Sequence, residues 1–194
     1  MANILSNIAL AAFRAGITPR TNASRTWFRQ QAAKLGRVNR NSLMKSDVVE
    51  LSGRELIGSM QMYFYQPKHA NSLKYYDRFP LSIIMGPADG GFMGLNLHYL
   101  PPILRAKFLD ALLDITNNKK YDQSTKFNAT YSVLKKAAKF KYFKPCVKHY
   151  LSQHVKSRFA KVNPPEWEIA TFLPTADFAK ASRSTVYTDS RKAL

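Results

Sequence analysis

The chain has 194 residues, of which 45% are hydrophobic, with one cysteine and a formal net charge of +18. This length favours a single domain with tails, and the apolar content is sufficient for a hydrophobic core. The lone Cys146 excludes an internal disulfide and a cysteine-based zinc site, and no apolar run approaches the ~20 residues that span a membrane.

The positive charge is unevenly distributed along the chain. Residues 1–46 carry a net +8 with no acidic side chain, whereas residues 47–118 carry −1. Residues 119–161 carry +11, and residues 162–194 are neutral. Concentrated positive charge repels itself, so its presence beside a neutral region indicates an acidic partner, either nucleic acid or an acidic protein.

Two short helices are predicted near the start, at Met1–Ala15 and at Arg25–Leu35, with Ser24 as a candidate N-cap of the second. This opening is amphipathic, contains Arg and Ser and lacks acids, which is also typical of a mitochondrial transit peptide. The predicted divisions of the chain are a basic N-terminal arm with short helices (1–46), a single folded domain (47–181) and a C-terminal tail (182–194).

Three runs of strand-forming residues follow the arm. Met60–Tyr65 alternates between two faces, Phe79–Met85 is nearly all apolar, and Phe92–Tyr99 alternates again. The turn residues of Pro87–Gly91 predict a hairpin between the last two runs. A helix is predicted to start at Pro101 and Pro102. Short antiparallel strands closed by a helix favour an α+β fold, namely a small SH3-like β-barrel with flanking helices and extended basic N- and C-terminal arms.

The last part of the chain gives mixed signals. Val155–Val162 is predicted to be a strand, and Trp167–Leu173 fits either a helix or a strand. Thr175 is predicted to cap a short helix that continues to Ala181. The polar residues from Ser182 onward are expected to follow a partner surface or to fray.

Bases and aromatic residues are interleaved through residues 119–161, including Tyr150 and Phe159. Such a pattern can hold a nucleic-acid backbone while rings stack on bases, but the rings can equally belong to the core and the lysines to a solvated face. Arg37–Lys45 is likewise either a basic connector or a phosphate-binding arm. The candidate nucleic-acid contacts are Arg37, Arg40, Lys119, Lys120, Lys135, Lys136, Lys139, Lys141 and Lys144.

The best catalytic candidates are Asp77, Arg78 and His98, which flank the second and third predicted strands and can share a rim. A base and an arginine that stabilises a phosphorane would suit a small-barrel endoribonuclease or endonuclease. The alternative is that Asp77 and Arg78 only form a turn and a surface ion pair. We favour the noncatalytic reading, because no catalytic signature is present.

Neither a metal site nor a cofactor site is predicted. His69, His98, His149 and His154 lack the spacing of metal ligands. The glycine-rich residues 86–94 lack the lysine of a phosphate-binding loop and the dinucleotide-binding pattern, so they are assigned to the hairpin.

The segments Tyr75–Pro80 (YYDRFP) and Gly91–Asp110 (GFMGLNLHYLPPILRAKFLD) resemble virion-associated structural proteins of T4-like tailed phages, which are often described as DNA end protectors. Phe28–Lys45 and Glu166–Phe178 share a weaker similarity. The resemblance implies a noncatalytic particle protein that binds packaged DNA ends or is built into the neck, tail or baseplate. It supplies no catalytic residues.

The sequence therefore predicts a noncatalytic virion structural protein, assembled in the host cytoplasm as part of a large symmetric assembly. Its basic segments are expected to bind DNA ends or acidic neighbouring virion subunits, with no membrane partner. Two alternatives remain: the small-barrel nuclease that uses Asp77, Arg78 and His98, and a basic mitochondrial protein of ribosomal type.

Overall fold

The computed structural model describes residues 4–44, 56–116, 132 and 141–192, with the backbone alone described at 111–116 and 141–142. Helices and strands are both present in these ranges, which confirms the mixed α and β composition predicted from the sequence. The helices are α1 (Ile4–Arg14), α2 (Asn22–Leu35), α3 (Arg40–Met44), α4 (Pro102–Thr116), α5 (Trp167–Phe172) and α6 (Arg183–Lys192).

The strands form a five-stranded antiparallel sheet and a separate two-stranded pair. The order of the larger sheet is β5-β4-β3-β1-β6, and β2 pairs with β7. Because β5 and β6 lie at its two edges, this sheet is open, and the SH3-like barrel is not confirmed. The strands are β1 (Met60–Met62), β2 (Tyr76–Asp77), β3 (Leu81–Ala88), β4 (Gly91–Asn96), β5 (Val147–Leu151), β6 (Ala160–Val162) and β7 (Phe178–Ala179).

The hairpin predicted at Pro87–Gly91 is confirmed. β3 and β4 pair up to Ala88 and Gly91, which leaves Asp89 and Gly90 as a two-residue turn. Gly90 has φ = 65°, a conformation that glycine adopts without steric cost. A Cβ at Gly91 would collide with the Tyr150 carbonyl of β5, so this position requires close backbone approach.

The two faces of the sheet are occupied by different clusters. Met60 and Met62 of β1 belong to the main core, which also includes residues of the helices. Tyr63 and Tyr65 lie in a second cluster together with Tyr150 of β5. The alternation in Met60–Tyr65 therefore does separate two faces, although the strand itself is shorter than this run.

Helices α1 and α2 pack on α5 and contribute Leu5 and Phe28 to the main core. Two buried acids of the α5 region bind them. The Ser24 hydroxyl donates to Glu168 at 2.7 Å, and the Ser6 hydroxyl donates to Glu166 at 3.1 Å. Ser24 is not the N-cap of α2, because Thr21 occupies that position and accepts the Ser24 amide.

The C-terminal region differs from the prediction in three places, the first being that only Ala160–Val162 of the predicted Val155–Val162 strand forms β6. Thr175 does not cap a helix, because residues 178–179 form β7 against β2. The polar residues after Ser182 form α6, and Val186 and Ser190 of this helix are buried. Burial of Trp167, Ile169 and Phe172 accounts for the helical outcome of the ambiguous Trp167–Leu173 run.

Candidate nucleic-acid interface

The predicted nucleic-acid contacts are only partly visible in the fold. Arg37 is exposed just after α2, and Lys144 is exposed in the 3₁₀ turn before β5. Lys141 belongs to the same turn, where only its backbone is described. The remaining candidates of the basic segment, namely Lys119, Lys120, Lys135, Lys136 and Lys139, lie outside the described residues.

Arg40 holds two parts of the chain together. Its guanidinium donates to the carbonyls of Thr175 at 2.9 Å and Ala176 at 3.1 Å, and lies 3.9 Å from the Asp177 carboxylate. Arg78 donates to the same Asp177 at 2.7 Å. Both arginines therefore have partners within the chain.

Asp77 and His98 lie together in the interior. His98 Nδ1 is 2.7 Å from Asp77 Oδ2, and its Nε2 is 3.0 Å from the Thr175 hydroxyl oxygen. The exposed fractions are 3% for Asp77, 0% for His98 and 1% for Thr175. Since Arg78 points to Asp177 instead, the three predicted catalytic residues do not share a rim, and the surface Asp77–Arg78 ion pair does not form.

The Asp77 carboxylate accepts four hydrogen bonds, from the amides of Phe79 and Asp177, the Asn96 side chain and His98. Burial opposes its ionisation, but the His98 ring and these donors hold the pKa of Asp77 below its usual value. Burial also lowers the pKa of His98, although Asp77 acts against it. A neutral His98 thus donates from Nδ1 to Asp77 and accepts from Thr175. This relay is closed to substrates, and its role is to join β2, β4 and the segment before β7.

A second buried polar residue, Arg105 of α4, is 2% exposed. It donates to the carbonyls of Leu100 at 2.7 Å and Thr171 at 3.0 Å, and to the Tyr187 hydroxyl at 2.7 Å. Burial lowers its pKa. Its acceptors come from the segment before α4, from α5 and from α6, so it too is structural.

A basic surface depression lies between the loop after Pro67 and the segment before β6. Its volume is about 610 Å³, and none of the described residues that line it is acidic. We call its charged and titratable members, Lys68, His69, His154 and Lys156, the basic rim. Lys68 and Lys156 are exposed, so this surface can reach phosphates.

The loop that carries half of the basic rim is fixed in place. The Lys180 ammonium donates to the carbonyls of Ala70, Asn71 and Leu73, at 2.7, 2.8 and 3.1 Å. The His154 ring bonds to the Gln66 carbonyl at 2.9 Å. These contacts hold Lys68 and Lys156 on one preformed surface.

An apolar pocket lies on the second face of the sheet, and the segment 154–159 contributes residues both to it and to the basic rim. We call it the sheet pocket; its volume is about 550 Å³, and Ile84, Pro87, Phe92, Val155 and Phe159 are among its lining residues. Phe92 and Phe159 belong to the aromatic cluster, with ring centroids 5.7 Å apart. The alternation of pocket-lining and basic residues in Val155–Phe159 (VKSRF) is a sequence signal for this site. The sequence analysis missed it, because it counted these bases only in the total charge of residues 119–161.

Among the described residues, no group of His, Cys, Asp and Glu side chains is arranged to hold a metal ion. The helices in the same ranges include none with the length and apolar character required to cross a membrane.

A comparison with protein families matches residues 7–192 to the family described as the phage T4 terminal DNA protecting protein. No curated protein and no solved structure matches the chain. The match covers nearly the whole chain, including every described helix and strand apart from the first residues of α1. The chain therefore belongs to the family of the phage T4 terminal DNA protecting protein.

Proposed function

We propose that this chain is a noncatalytic phage protein that binds the ends of linear DNA and shields them from exonucleases. The family match over residues 7–192 carries the proposal, because the family is described by the protection of terminal DNA. The net charge of +18 supports it, since phosphate neutralisation supplies most of the affinity of sequence-independent DNA binding.

The basic rim is the first candidate for phosphate contact. Lys68 and Lys156 are exposed on one preformed surface, and the described residues that line it include no carboxylate. The bases predicted from the sequence, Arg37 and Lys144 among the described residues and Lys119–Lys139 beyond them, would extend this contact. Arg40 is better suited to holding the fold, because three acceptors of its own chain already surround it.

Protection requires no chemistry from the protein. A bound protein that covers the terminal phosphodiesters excludes a nuclease sterically, and a site made of lysines reads no sequence. The interior position of Asp77 and His98 fits this role, since no substrate reaches them. The virion location, a place in the neck, tail or baseplate, and contacts with other virion proteins are further parts of this proposal.

An exonuclease assay tests the proposed function. A linear duplex labelled at its centre is incubated with the protein and then with a double-strand exonuclease, and the surviving label is measured. We expect the protein to preserve the linear duplex, and we expect a covalently closed circle of the same length to compete poorly.

Incubation without exonuclease supplies the control for the nuclease alternative, because fragments formed by the protein alone would establish cleavage. If the linear duplex is digested at the same rate with and without the protein, the protective function is wrong. Equal competition by circles would show general DNA binding in place of end binding.

A further inference from the structure

Alternate residues of the segment 154–159 line the sheet pocket and the basic rim, and the polar interior uses neither surface. We propose that the sheet pocket receives the terminal nucleobase of a DNA strand while the basic rim holds that strand's phosphates. This inference rests on the proposed function and gives DNA-end binding a specific site.

The pocket offers an aromatic surface for stacking. The rings of Phe92 and Phe159 are partly exposed and meet at 66°, and Tyr63 packs edge-on behind them with centroid distances of 5.8 and 4.9 Å. A volume of about 550 Å³ is within the range of ~300–1,000 Å³ that is usual for small-molecule pockets. One base fits, and its flat face has a ring to stack on.

The surface behind these rings is rigid because its hydroxyl groups are engaged. Tyr63 donates to the Ser82 hydroxyl at 3.3 Å, Tyr150 accepts from Asn96 at 3.1 Å, and Tyr65 accepts the Leu151 amide at 3.2 Å. The stacking surface is therefore formed before a ligand arrives, so that little side-chain freedom is lost on binding.

The pocket is expected to bind any of the four bases without discriminating between them. Among the described residues that line it, the polar side chains are Ser152 and Ser157. The Ser157 hydroxyl already accepts the Phe64 amide at 2.9 Å and donates to the Arg158 carbonyl at 2.8 Å. Ring stacking tolerates every base, which suits a protein that binds a DNA end of any sequence.

Charge complementarity identifies the occupant as nucleic acid. Val155, Ser157 and Phe159 line the pocket, whereas His154 and Lys156, which alternate with them, line the basic depression on the other side of the same segment. A nucleotide combines an apolar ring with an anionic phosphate, so one nucleotide can occupy the pocket while phosphates of its strand meet the rim.

A pocket for a single base would also make the protein bind the end of a duplex in preference to its middle. An internal base must be unpaired and unstacked from two neighbours before it can leave the helix, which costs a few kcal/mol. A terminal base has one stacking neighbour, and a base in a single-stranded overhang has no partner strand. Only at an end is a base therefore available at low cost.

Fluorescence of 2-aminopurine tests this site directly with the unmodified protein. One duplex carries the probe at its terminal nucleotide and a matched duplex carries it at the centre, and each is titrated with the full chain. We expect a change in fluorescence for the terminal probe and none for the internal probe. End binding without a signal from the terminal probe would overturn the inference.

A cycle of protein variants and abasic ends measures the contact. The wild-type chain is expected to bind a duplex with ordinary ends about tenfold more tightly than one whose terminal nucleotides are abasic. The double substitution Phe92→Leu and Phe159→Leu keeps apolar packing but removes the rings, so it should abolish the difference between ordinary and abasic ends. Phe13→Leu, at an 82% exposed aromatic residue of α1, is the matched control and should preserve the tenfold difference.

The outcomes separate this inference from the proposed function. If the wild-type chain protects ends but binds ordinary and abasic ends equally, the pocket is not the base site and the protective function stands. If the wild-type chain neither binds nor protects ends, both are wrong. Should the double variant fail to fold in a thermal melt, the wild-type comparison of ordinary and abasic ends still decides the question.

Discussion

Asp77 and His98 are two titratable side chains placed where the solvent does not reach them. Asp77 compensates for burial with four donors, and His98 compensates by remaining neutral between Asp77 and Thr175. Their adjacency to strand ends was visible in the sequence and suggested chemistry. Their enclosure was not visible, because it depends on β7 and on Thr175, which are about 80 to 100 residues away.

The lowered pKa of His98 predicts that acid destabilises the protein. A histidine whose pKa is lower in the folded state than in the unfolded state binds fewer protons when folded, so its stabilising contribution is full above the ordinary value of 6.5 and falls below it. Asp77, whose pKa is also lowered, adds a loss at more acidic pH. We expect the free energy of unfolding, from urea titrations, to decrease between pH 6.5 and about 5.

His98→Asn should reduce this decrease between pH 6.5 and about 5, because the introduced asparagine side chain has no titratable group. His69→Asn, at an exposed loop position, is the matched control and should keep the wild-type dependence. A His98→Asn variant with the full wild-type dependence would show that another group is responsible.

Arg105 is a second buried residue, and its contribution to stability depends on the geometry of its guanidinium. Arg105→Lys keeps the positive charge but cannot reach the acceptors on α5, α6 and the segment before α4 at the same time, since an ammonium lacks the planar fork of a guanidinium. We expect a loss of about 2–4 kcal/mol in the free energy of unfolding. Lys107→Arg, an exposed change on the same helix, should be neutral in the same titration; equal stability of both variants would contradict the assigned role.

At the scale of elements, local signals were reliable and pairings were not. The alternation in Met60–Tyr65, the Asp89-Gly90 turn and the prolines before α4 each depend on neighbours in sequence, and the structure contains a strand, a hairpin and a helix at these places. The prediction of a closed barrel required knowledge of which strands meet. β1 pairs with β6 about 100 residues later, and no local pattern specifies such a pairing.

The β3–β4 hairpin provides a test of close backbone packing. Gly91→Ala places a methyl group against the Tyr150 carbonyl, where backbone and not a flexible side chain must move, so the β4–β5 pairing should be disrupted. Gly90→Ala is the control, because it meets only the Leu151 side chain at 3.5 Å and costs about 1–2 kcal/mol for its positive φ. We expect Gly91→Ala to lower the unfolding free energy by more than Gly90→Ala; the reverse order would contradict this packing.

At the scale of the whole molecule, charge is the property that the sequence predicts best. The total of +18 is fixed by composition, but the surface on which a given lysine lies depends on the fold. Lys68 and Lys156 are distant in sequence and fell into different charge segments, one of them nearly neutral. The structure places both lysines on one rim, which the net charges of separate sequence segments do not indicate.

The salt dependence of DNA binding tests that rim. Each phosphate contact adds about 0.9 to the slope of log affinity against log salt concentration, so Lys68→Gln with Lys156→Gln should lower the slope by about 1.8. The control pair is Arg191→Gln with Lys192→Gln, which removes the same charge from the exposed end of α6. A filter-binding titration measures both, and equal slopes for the two pairs would mean that the charge acts only as a general field.

The acceptors of Arg105 also make the interior of the fold depend on residues near the C-terminal end of the described chain. Its guanidinium donates to a hydroxyl that lies 82 positions further along the chain. β1 likewise pairs with β6, about 100 residues later. Without α6, the buried Arg105 guanidinium keeps the carbonyls of Leu100 and Thr171 but loses the Tyr187 hydroxyl as an acceptor. Loss of α6 should consequently lower the free energy of unfolding, because this helix also buries Val186 and Ser190.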